Sequence, residues 1–386
     1  MQSTLTFSED HELFREAVRE FVAHEITPHY PDWEQAHIMP RSVWQAAGET
    51  GVLGLAVPEE FGGAQLPDYE YQLVLTQELA TVGGYGFALA VHLQQDLVLP
   101  YLLAYGTHEQ KERWLPQMVS GDLVTSCAFT EPGAGSDLRA FRTSAVRDEN
   151  SYLLNGQKTF IGSGISGDAA LVLARTDGSS ERASEDSFSL FFVEKSEGYT
   201  PGRQLDKMGI RASDTAELFF ENVRVPAENL IGEPGQGLTY IKQHLPQARL
   251  AIAAASAVIS RTTLNATLEY VKERKVFGSR VADFQNTRFE LANALMNTEL
   301  SELYVARAIA AFNAGELTAE DAAKAKVFAS EKACTITDRC LQLFGGYGYI
   351  NEHPAAQAFL AARLLPIFGG TNELLRDNIG FDLLAE

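Results

Sequence analysis

The chain has 386 residues, 45% of them apolar and 21% charged. That balance describes a soluble globular protein, long enough for two or three domains and for a core that needs no disulfides. A net charge of −20 argues against nucleic acid and anionic membrane surfaces, although local arginines and helix ends can still hold a phosphate-bearing ligand.

The opening MQSTLTFSEDHELF has no basic segment followed by an apolar run, and no stretch reads as long enough to span a bilayer. A reduced, cytoplasmic setting is the expectation. Ser8 is placed to cap a first helix, with Leu13, Ala17, Phe21 and Val22 at helical spacing. Pro67 and Asp68 open another helix, and Thr107 caps HEQKERWLPQMVSG, which Gly121 ends. Beyond Asp122 the texture changes. SYLLNGQKTFI reads as a hairpin turning at Asn155-Gly156. AALVLART, FSLFFVEK and TAELFFENVRVP are further strand-like runs, and this β region ends near Pro226. From about Gly237 the pattern is helical again, with Pro246 suited to the first position of a helix. Ala248, Ile252, Ala255 and Ile259 then share one face. Long helices follow at about 283–313 and 319–343, shorter ones at about 353–364 and 371–383, enough for a bundle. Cys127, Cys334 and Cys340 show no metal-ligand spacing and read as buried thiols.

Four segments can carry chemistry. In TEPGAGSD, Gly133 and Gly135 bare the backbone between Thr130 and Ser136, as an ordinary turn or as a cradle for a polar ring or phosphate. In ERKVFGSRVADFQ, Arg274 either complements a helix C-terminus or meets a phosphate. LQLFGGYGYINEHP ends a helix at Gly345-Gly346 and lacks the lysine of a P-loop. LLPIFGGTNELL brings Gly369 and Gly370 to a helix that Thr371 can cap, a place where bare N–H groups could hold an oxyanion.

TEPGAGSDL, NGQKTFI, MGIRASDTAELFFENVRVP, ERKVFG, QLFGGYGY and GGTNE stand in the order and approximate spacing of the acyl-CoA dehydrogenase family, which the chain resembles over nearly its whole length. The LPQ-RL and GGTNE wording is most similar to the long-chain type. The resemblance implies an α+β fold with an N-terminal α-helical domain (1–121), a small central β-barrel-like domain (122–232) and a C-terminal four-helix bundle (233–386). It implies non-covalent FAD and a homotetramer built as a dimer of dimers. It also implies oxidation of a saturated acyl-CoA to the trans-2-enoyl thioester: a base removes the α-proton, the β-hydrogen passes as hydride to the flavin, and electrons leave to electron-transfer flavoprotein.

Carried over residue by residue, Cys127, Phe129, Thr130 and Ser136 belong to the flavin-contacting segment, with Ser136 also near the thioester arm. Phe160 and Gly162 belong to a strand end against the flavin. Arg274, Phe277, Gln285, Gln342, Gly345 and Gly346 match contacts made to FAD from a neighbouring subunit. Thr371 and Glu373 match flavin contacts, and Arg249 a residue near the substrate. Gly369 offers its N–H to the thioester oxygen.

Three departures stand out. Many relatives place the catalytic glutamate where this chain has Gly369. The long-chain and isovaleryl types place it at the position held here by Ala248, read as the first turn of a helix begun at Pro246. Gly162 replaces a hydroxyl residue, although Ser163 is adjacent. Alanine cannot accept a proton, and general-base catalysis is worth roughly 10²–10⁴-fold. Four readings follow: an engineered glutamate-to-alanine change that traps substrate; a base elsewhere; other flavin chemistry, such as that of an oxidase or monooxygenase or enoyl reduction; or a non-catalytic acyl-CoA-binding homologue. The carrier of the acyl group is CoA or an acyl-carrier protein. His244 is expected to be a surface or capping residue, because a helix start at Pro246 would break its alignment with Ala248. Glu373 reads as a helix N-terminal acid, and Glu131 and Asp137 as parts of their loop.

Overall fold

The computed structural model describes residues 7–178 and 183–385. Seven helices come first: α1 (Glu9–Phe21), α2 (Tyr30–Ala36), α3 (Arg41–Glu49), α4 (Tyr69–Thr81), α5 (Tyr85–Leu97), α6 (Leu99–Tyr105) and α7 (His108–Ser120). Ser8 caps α1 in a reciprocal box with His11, and Thr107 does the same for α7 with Gln110. Gly121, at φ 79°, ends α7. The buried face of α1 differs from the expected stripe. Leu13 is 59% exposed and Ala17 is exposed, whereas His11, Val18 and Phe21 point inward. The rings of His11 and Phe14 pack on Tyr71 of α4, at 4.2 and 5.4 Å between centroids, and this sets the rotation of the helix.

Helices α5 and α6 follow each other directly over Tyr85–Tyr105. By length and composition this stretch is apolar enough to cross a membrane, contrary to the sequence expectation. Most of it is buried: Phe87, Ala90 and Val91 lie in one core cluster, and Val98, Tyr101 and Leu102 in another. Its apolarity thus supplies core contacts.

The β layer has eight strands: β1 (Thr125–Ala128), β2 (Ser144–Asp148), β3 (Ser151–Gly162), β4 (Ala169–Arg175), β5 (Phe188–Glu194), β6 (Tyr199–Gln204), β7 (Thr215–Pro226) and β8 (Leu230–Ile231). Their order is β6-β7-β3-β2-β4-β5-β8, with β1 added in parallel to β4. Tyr199 and Phe220 share one buried cluster with Phe191 and Val193, so the sheet wraps part of a barrel around it. The other face of β4 and β5, with Leu171, Leu173, Leu190 and Phe192, packs on Trp114 and Leu115 of α7. Burial on both faces explains why these strands read as continuous apolar runs.

Asn155-Gly156 is not a hairpin turn. Strand β3 runs through it, and the turn lies at Glu149-Asn150, between β2 and β3. Gly156, at φ 148°, sits at a register shift against β7, and a Cβ there would stand 2.5 Å from Thr143 Oγ1. Close approach of the Thr143 backbone, rather than turn formation, requires this glycine.

Four further long or short helices complete the chain on α8 (Gly237–Glu273): α9 (Gln285–Asn313), α10 (Ala319–Phe344), α11 (Pro354–Leu364) and α12 (Asn372–Ala385). Helices α8, α9 and α10 are long, and the two shorter helices expected near 353–364 and 371–383, α11 and α12, both pack on α10. Helix α8 does not begin at Pro246 but runs through it for 37 residues. The proline removes one helical N–H, and the carbonyl it leaves belongs to Lys242, which is exposed and can reach water. Of the thiols, only Cys340 is fully buried; Cys127 and Cys334 are half-buried.

Gly156→Ala is expected to destabilise the protein by about 2–4 kcal/mol, combining backbone strain with overpacking. Denaturant unfolding followed by circular dichroism measures it; a loss below about 0.5 kcal/mol would mean that β3 can relax away from Thr143.

Candidate active site

The alanine content of α8 follows from what surrounds it. Leu250, Ala251, Ala254 and Ala257 pack against Tyr69, Leu73 and Ala80 of α4, and against Val305, Ala308, Ala325 and Ala329 of α9 and α10. Ile252 and Ile259 meet Ala358, Ala361 and Leu365 around α11. Ser256 and Ser260 satisfy their buried hydroxyls on carbonyls one turn back. Between α5 and α8 the contact opens into a narrow cleft of about 70 Å³. Its walls are Leu89, Leu93 and Leu97 of α5 and Ala248, Ile252 and Ala255 of α8, with Phe368 and Gly369 from the loop before α12. Thus one face of α8 allows close helix packing while another leaves a channel.

Ala248 lines this cleft and is buried. It lies about three turns in from Gly237, beyond the reach of the helix N-terminal field, which fades within the first turn. The expected electrostatic welcome for a carboxylate there is absent. The continuous helix also restores the i,i+4 relation to His244, which is neither a surface nor a capping residue. Its half-buried ring packs on Tyr101 and Tyr105, at 5.1 and 5.4 Å, and burial lowers its pKa.

The polar lining of the cleft is Thr76, His92 and Asp96, with the phenol of Tyr85. His92 and Asp96 are one helical turn apart on α5, with Nδ1 and Oδ2 2.7 Å apart. Asp96 is 2% exposed, and its Oδ1 accepts from Gln247 Nε2 at 3.1 Å. Thr76 Oγ1 is 3.0 Å from His92 Nε2 and 2.8 Å from the Gln72 carbonyl. Burial, with the nearby Asp96 charge, pushes the Tyr69 phenol well above its ordinary pKa. Sequence reading missed this group, although a histidine and an aspartate at i,i+4 inside FALAVHLQQDLVL were the available signal.

Gly369 and Gly370 have φ of 67° and 87°. A Cβ on Gly369 would stand 2.3 Å from Ile252 Cδ1, so this loop is shaped against any side chain at that base position. Lys326, buried under the loop, donates to the Gly370 carbonyl at 2.9 Å and to Asn372 Oδ1 at 2.7 Å. Burial, helped by the Arg249 cation, lowers the Lys326 pKa to about 8. Arg249 is itself buried beside Gly370, and desolvation lowers its pKa. Thr371 caps α12 by accepting from the Leu374 N–H at 3.3 Å, and Glu373 lies exposed in the first turn.

The glycine loop after β1 is fixed from below. Lys158, with no exposed surface, donates to Glu131 Oε1 and the Phe129 carbonyl at 2.9 Å, and to the Leu173 carbonyl at 2.8 Å. Glu131 also accepts the N–H groups of Arg142 and Thr143. Burial works against its charge, but Lys158 and these donors outweigh it and hold its carboxyl low. Burial lowers Lys158 to about 8 despite Glu131. Thr159 N–H bonds the Thr130 carbonyl, so the loop is tied to β3. Above this anchor Gly133 and Ser136 are exposed, and a Cβ on Gly133 would meet nothing within 4 Å. Cys127 and Phe129 are half-buried at the strand end, and Phe160 is 72% exposed in the left-handed region, φ 59°. Gly162 departs from the hydroxyl pattern for a steric reason: its Cβ would lie 2.4 Å from Leu93 Cδ1.

Arg274, Gln342, Gly345 and Gly346 line a second, open basin of about 510 Å³ at the far end of α8. Phe277 is fully exposed at the tip of a hairpin, β9 (Lys275–Val276) and β10 (Ser279–Arg280), and Gln285 is exposed at the start of α9. None of the six lines the cleft of its own chain. Among the described residues Arg274 has no carboxylate partner, which leaves its guanidinium available to a phosphate. Bare backbone at Gly133, Gly345 and Gly346, with a free arginine beside the latter two, fits a flavin dinucleotide.

Three family models match end to end: acyl-CoA dehydrogenase N-terminal domain at residues 8–122, middle domain at 126–223 and C-terminal domain at 235–384. Mouse mitochondrial long-chain specific acyl-CoA dehydrogenase is 40% identical over 98% of this chain and 88% of its own length. The crystal structure of an acyl-CoA dehydrogenase from Geobacillus kaustophilus superimposes with TM-score 0.95 at 40% identity, covering 99% of this chain and 100% of that one. A glutaryl-CoA dehydrogenase from Mycobacterium smegmatis, solved in complex with FADH2, gives TM-score 0.90 at 28% identity over 98% of this chain and 96% of that one.

Lys158→Met should cost about 3–5 kcal/mol of stability, because it strands the Glu131 charge, and it should loosen the loop that carries Thr130 and Ser136. Urea unfolding and cofactor retention on gel filtration test this; an unchanged midpoint would mean the pair anchors nothing. Gly369→Glu should also be destabilised, by about 2–4 kcal/mol from φ strain and the Ile252 clash, whereas a stable variant would show that the loop adapts.

Proposed function

The chain belongs to the acyl-CoA dehydrogenase family, an FAD-dependent oxidoreductase family acting on acyl-CoA, and on that premise we propose that it dehydrogenates a saturated acyl thioester to the trans-2-enoyl thioester. The observation that carries this reading is the apolar cleft between α5 and α8, which meets the bare backbone of Gly369. The acyl chain lies along Leu89, Leu93, Ile252 and Ala255. The thioester oxygen accepts from the Gly369 N–H, an interaction that strengthens as the carbonyl becomes enolate-like. The apolar walls exclude water from the α- and β-carbons. FAD, when bound, supplies the hydride acceptor; the loop from Thr130 to Ser136 and the strand end at Phe160 and Gly162 hold its ring.

Arg274, Phe277, Gln285 and Gln342 serve the FAD of a neighbouring subunit in a homotetramer. An exposed apolar row on α9, including Phe289, Met296, Leu300 and Leu303, supports such assembly. Electron-transfer flavoprotein in the cytoplasm takes the electrons.

Titrating the FAD-loaded protein with saturated acyl-CoAs of increasing length should perturb the flavin absorption bands. Each methylene buried in the cleft adds about 0.8 kcal/mol, or roughly fourfold in affinity, until the cleft is full. A parallel titration with an acyl-carrier-protein thioester identifies the carrier. If no acyl thioester perturbs the spectrum, the cleft is not an acyl site and the reading fails. Arg274→Ala should retain the fold but lose FAD; a stable monomer with full FAD occupancy would contradict the cross-subunit assignment.

A further inference from the structure

We propose that the Asp96–His92 pair on α5 is the proton acceptor of this enzyme, replacing the carboxylate absent from positions 248 and 369. The inference rests on the dehydrogenase reading above and deepens it. Both side chains line the acyl cleft, and Gln247, next to Ala248, donates to Asp96 Oδ1 at 3.1 Å. The pair therefore stands beside the place where a longer side chain at position 248 would enter, and Ala248 leaves the space between them open. Among the described residues lining the cleft, Asp96 carries a carboxylate and His92 an imidazole. The Tyr85 phenol is held protonated by burial, and Thr76 is a hydroxyl.

The hydrogen bonds around the pair accommodate either proton count without moving a heavy atom. With one proton fewer, His92 Nδ1–H donates to the Asp96 carboxylate, and the Thr76 hydroxyl turns to donate to Nε2 across 3.0 Å. With one more, carried on Asp96, the carboxyl group still accepts from His92 Nδ1–H and from Gln247 Nε2, and Thr76 still donates to Nε2. Gln247 holds the second carboxylate oxygen in both. A purely structural role accounts poorly for this group, since buried ion pairs seldom outperform apolar packing and the rest of the lining is nearly all apolar. A carboxylate at 248 would also face Asp96 as a like charge, so the two base positions exclude one another.

In the step itself the α C–H bond breaks and its proton forms an O–H bond at Asp96, while the His92 ring keeps its own Nδ1 proton. The electron pair it leaves forms the α,β double bond as the β-hydrogen departs with its own pair to oxidised FAD. The products are the enoyl thioester, reduced FAD and the protonated pair.

The test separates proton abstraction from redox. A 3-thiaacyl-CoA has sulfur at the β position and no hydride to give, so exchange of its α-protons with D2O, read by NMR, reports the base alone. The FAD-loaded parent should exchange them. Asp96→Asn, which keeps the volume, should slow exchange by about 100-fold or more while retaining FAD and thioester binding. His92→Gln should slow it by about tenfold or more and carries the test if Asp96→Asn does not fold. Ala248→Glu should restore exchange in the Asp96→Asn background to within about tenfold of the parent, yet add little on its own, because two carboxylates would share one site. A group that only supports the fold would not be rescued from position 248. The proposal is overturned if Asp96→Asn or His92→Gln exchanges at the parental rate, or if the parent is inert and Ala248→Glu alone switches exchange on. Failure of the dehydrogenase reading would show differently, as no flavin perturbation by any acyl-CoA in the parent.

Discussion

Helix α8 has to run buried along most of its length, against α4, α9, α10 and α11 in turn, and this constraint organises the molecule. Small side chains are the solution: Ala251, Ala253, Ala254 and Ala257 let neighbouring backbones close in, and Ser256 and Ser260 return their hydroxyls to the helix. Because so much of α8 is committed to packing, the one face left open, from Ala248 to Ala255, becomes the wall of the acyl cleft. Continuity through Pro246 follows as well: tertiary contacts on both sides of the proline outweigh one lost backbone hydrogen bond.

Charge is arranged around this frame by burial rather than by surface pairing. Glu131 and Lys158 neutralise each other beneath the glycine loop and tie it to the sheet. Arg249 and Lys326 stand under the Gly369 loop with little exposed surface, and each depresses its own basicity by desolvation. Two cations beneath that loop favour the build-up of negative charge on a thioester oxygen above it. Across the cleft, Asp96 stands among His92, Gln247 and the buried Tyr69 phenol. On the proposed reading the site is polarised, with anion stabilisation at one side and proton acceptance at the other.

Much of this was legible in the chain. The α, β, α order, the caps at Ser8, Thr107 and Thr371, and the motif segments all rest on local rules that the folded structure obeys. The failures have a common cause, which is long-range contact overriding a local signal. Pro246 reads as a helix start only if nothing holds the preceding turns. Asn155-Gly156 reads as a hairpin only if Thr143 is not pressed against it. Leu13 belongs to the buried stripe only if Tyr71 does not select His11 and Phe14. The cleft shows the same limit. The i,i+4 spacing of His92 and Asp96 in an apolar helix is present in the sequence. Their proximity to Ala248 depends on α5 and α8 packing side by side, which no local pattern encodes.

A crystal structure of the FAD-loaded protein with a bound saturated acyl-CoA, or a slowly reacting analogue, tests the central claim most directly. The account predicts the acyl chain between α5 and α8, the thioester oxygen on the Gly369 N–H, and the α-carbon at about 3–3.5 Å from a carboxylate oxygen of Asp96, the separation of a near-attack arrangement. An α-carbon beyond the reach of Asp96 and His92, with another side chain against it, would contradict the account.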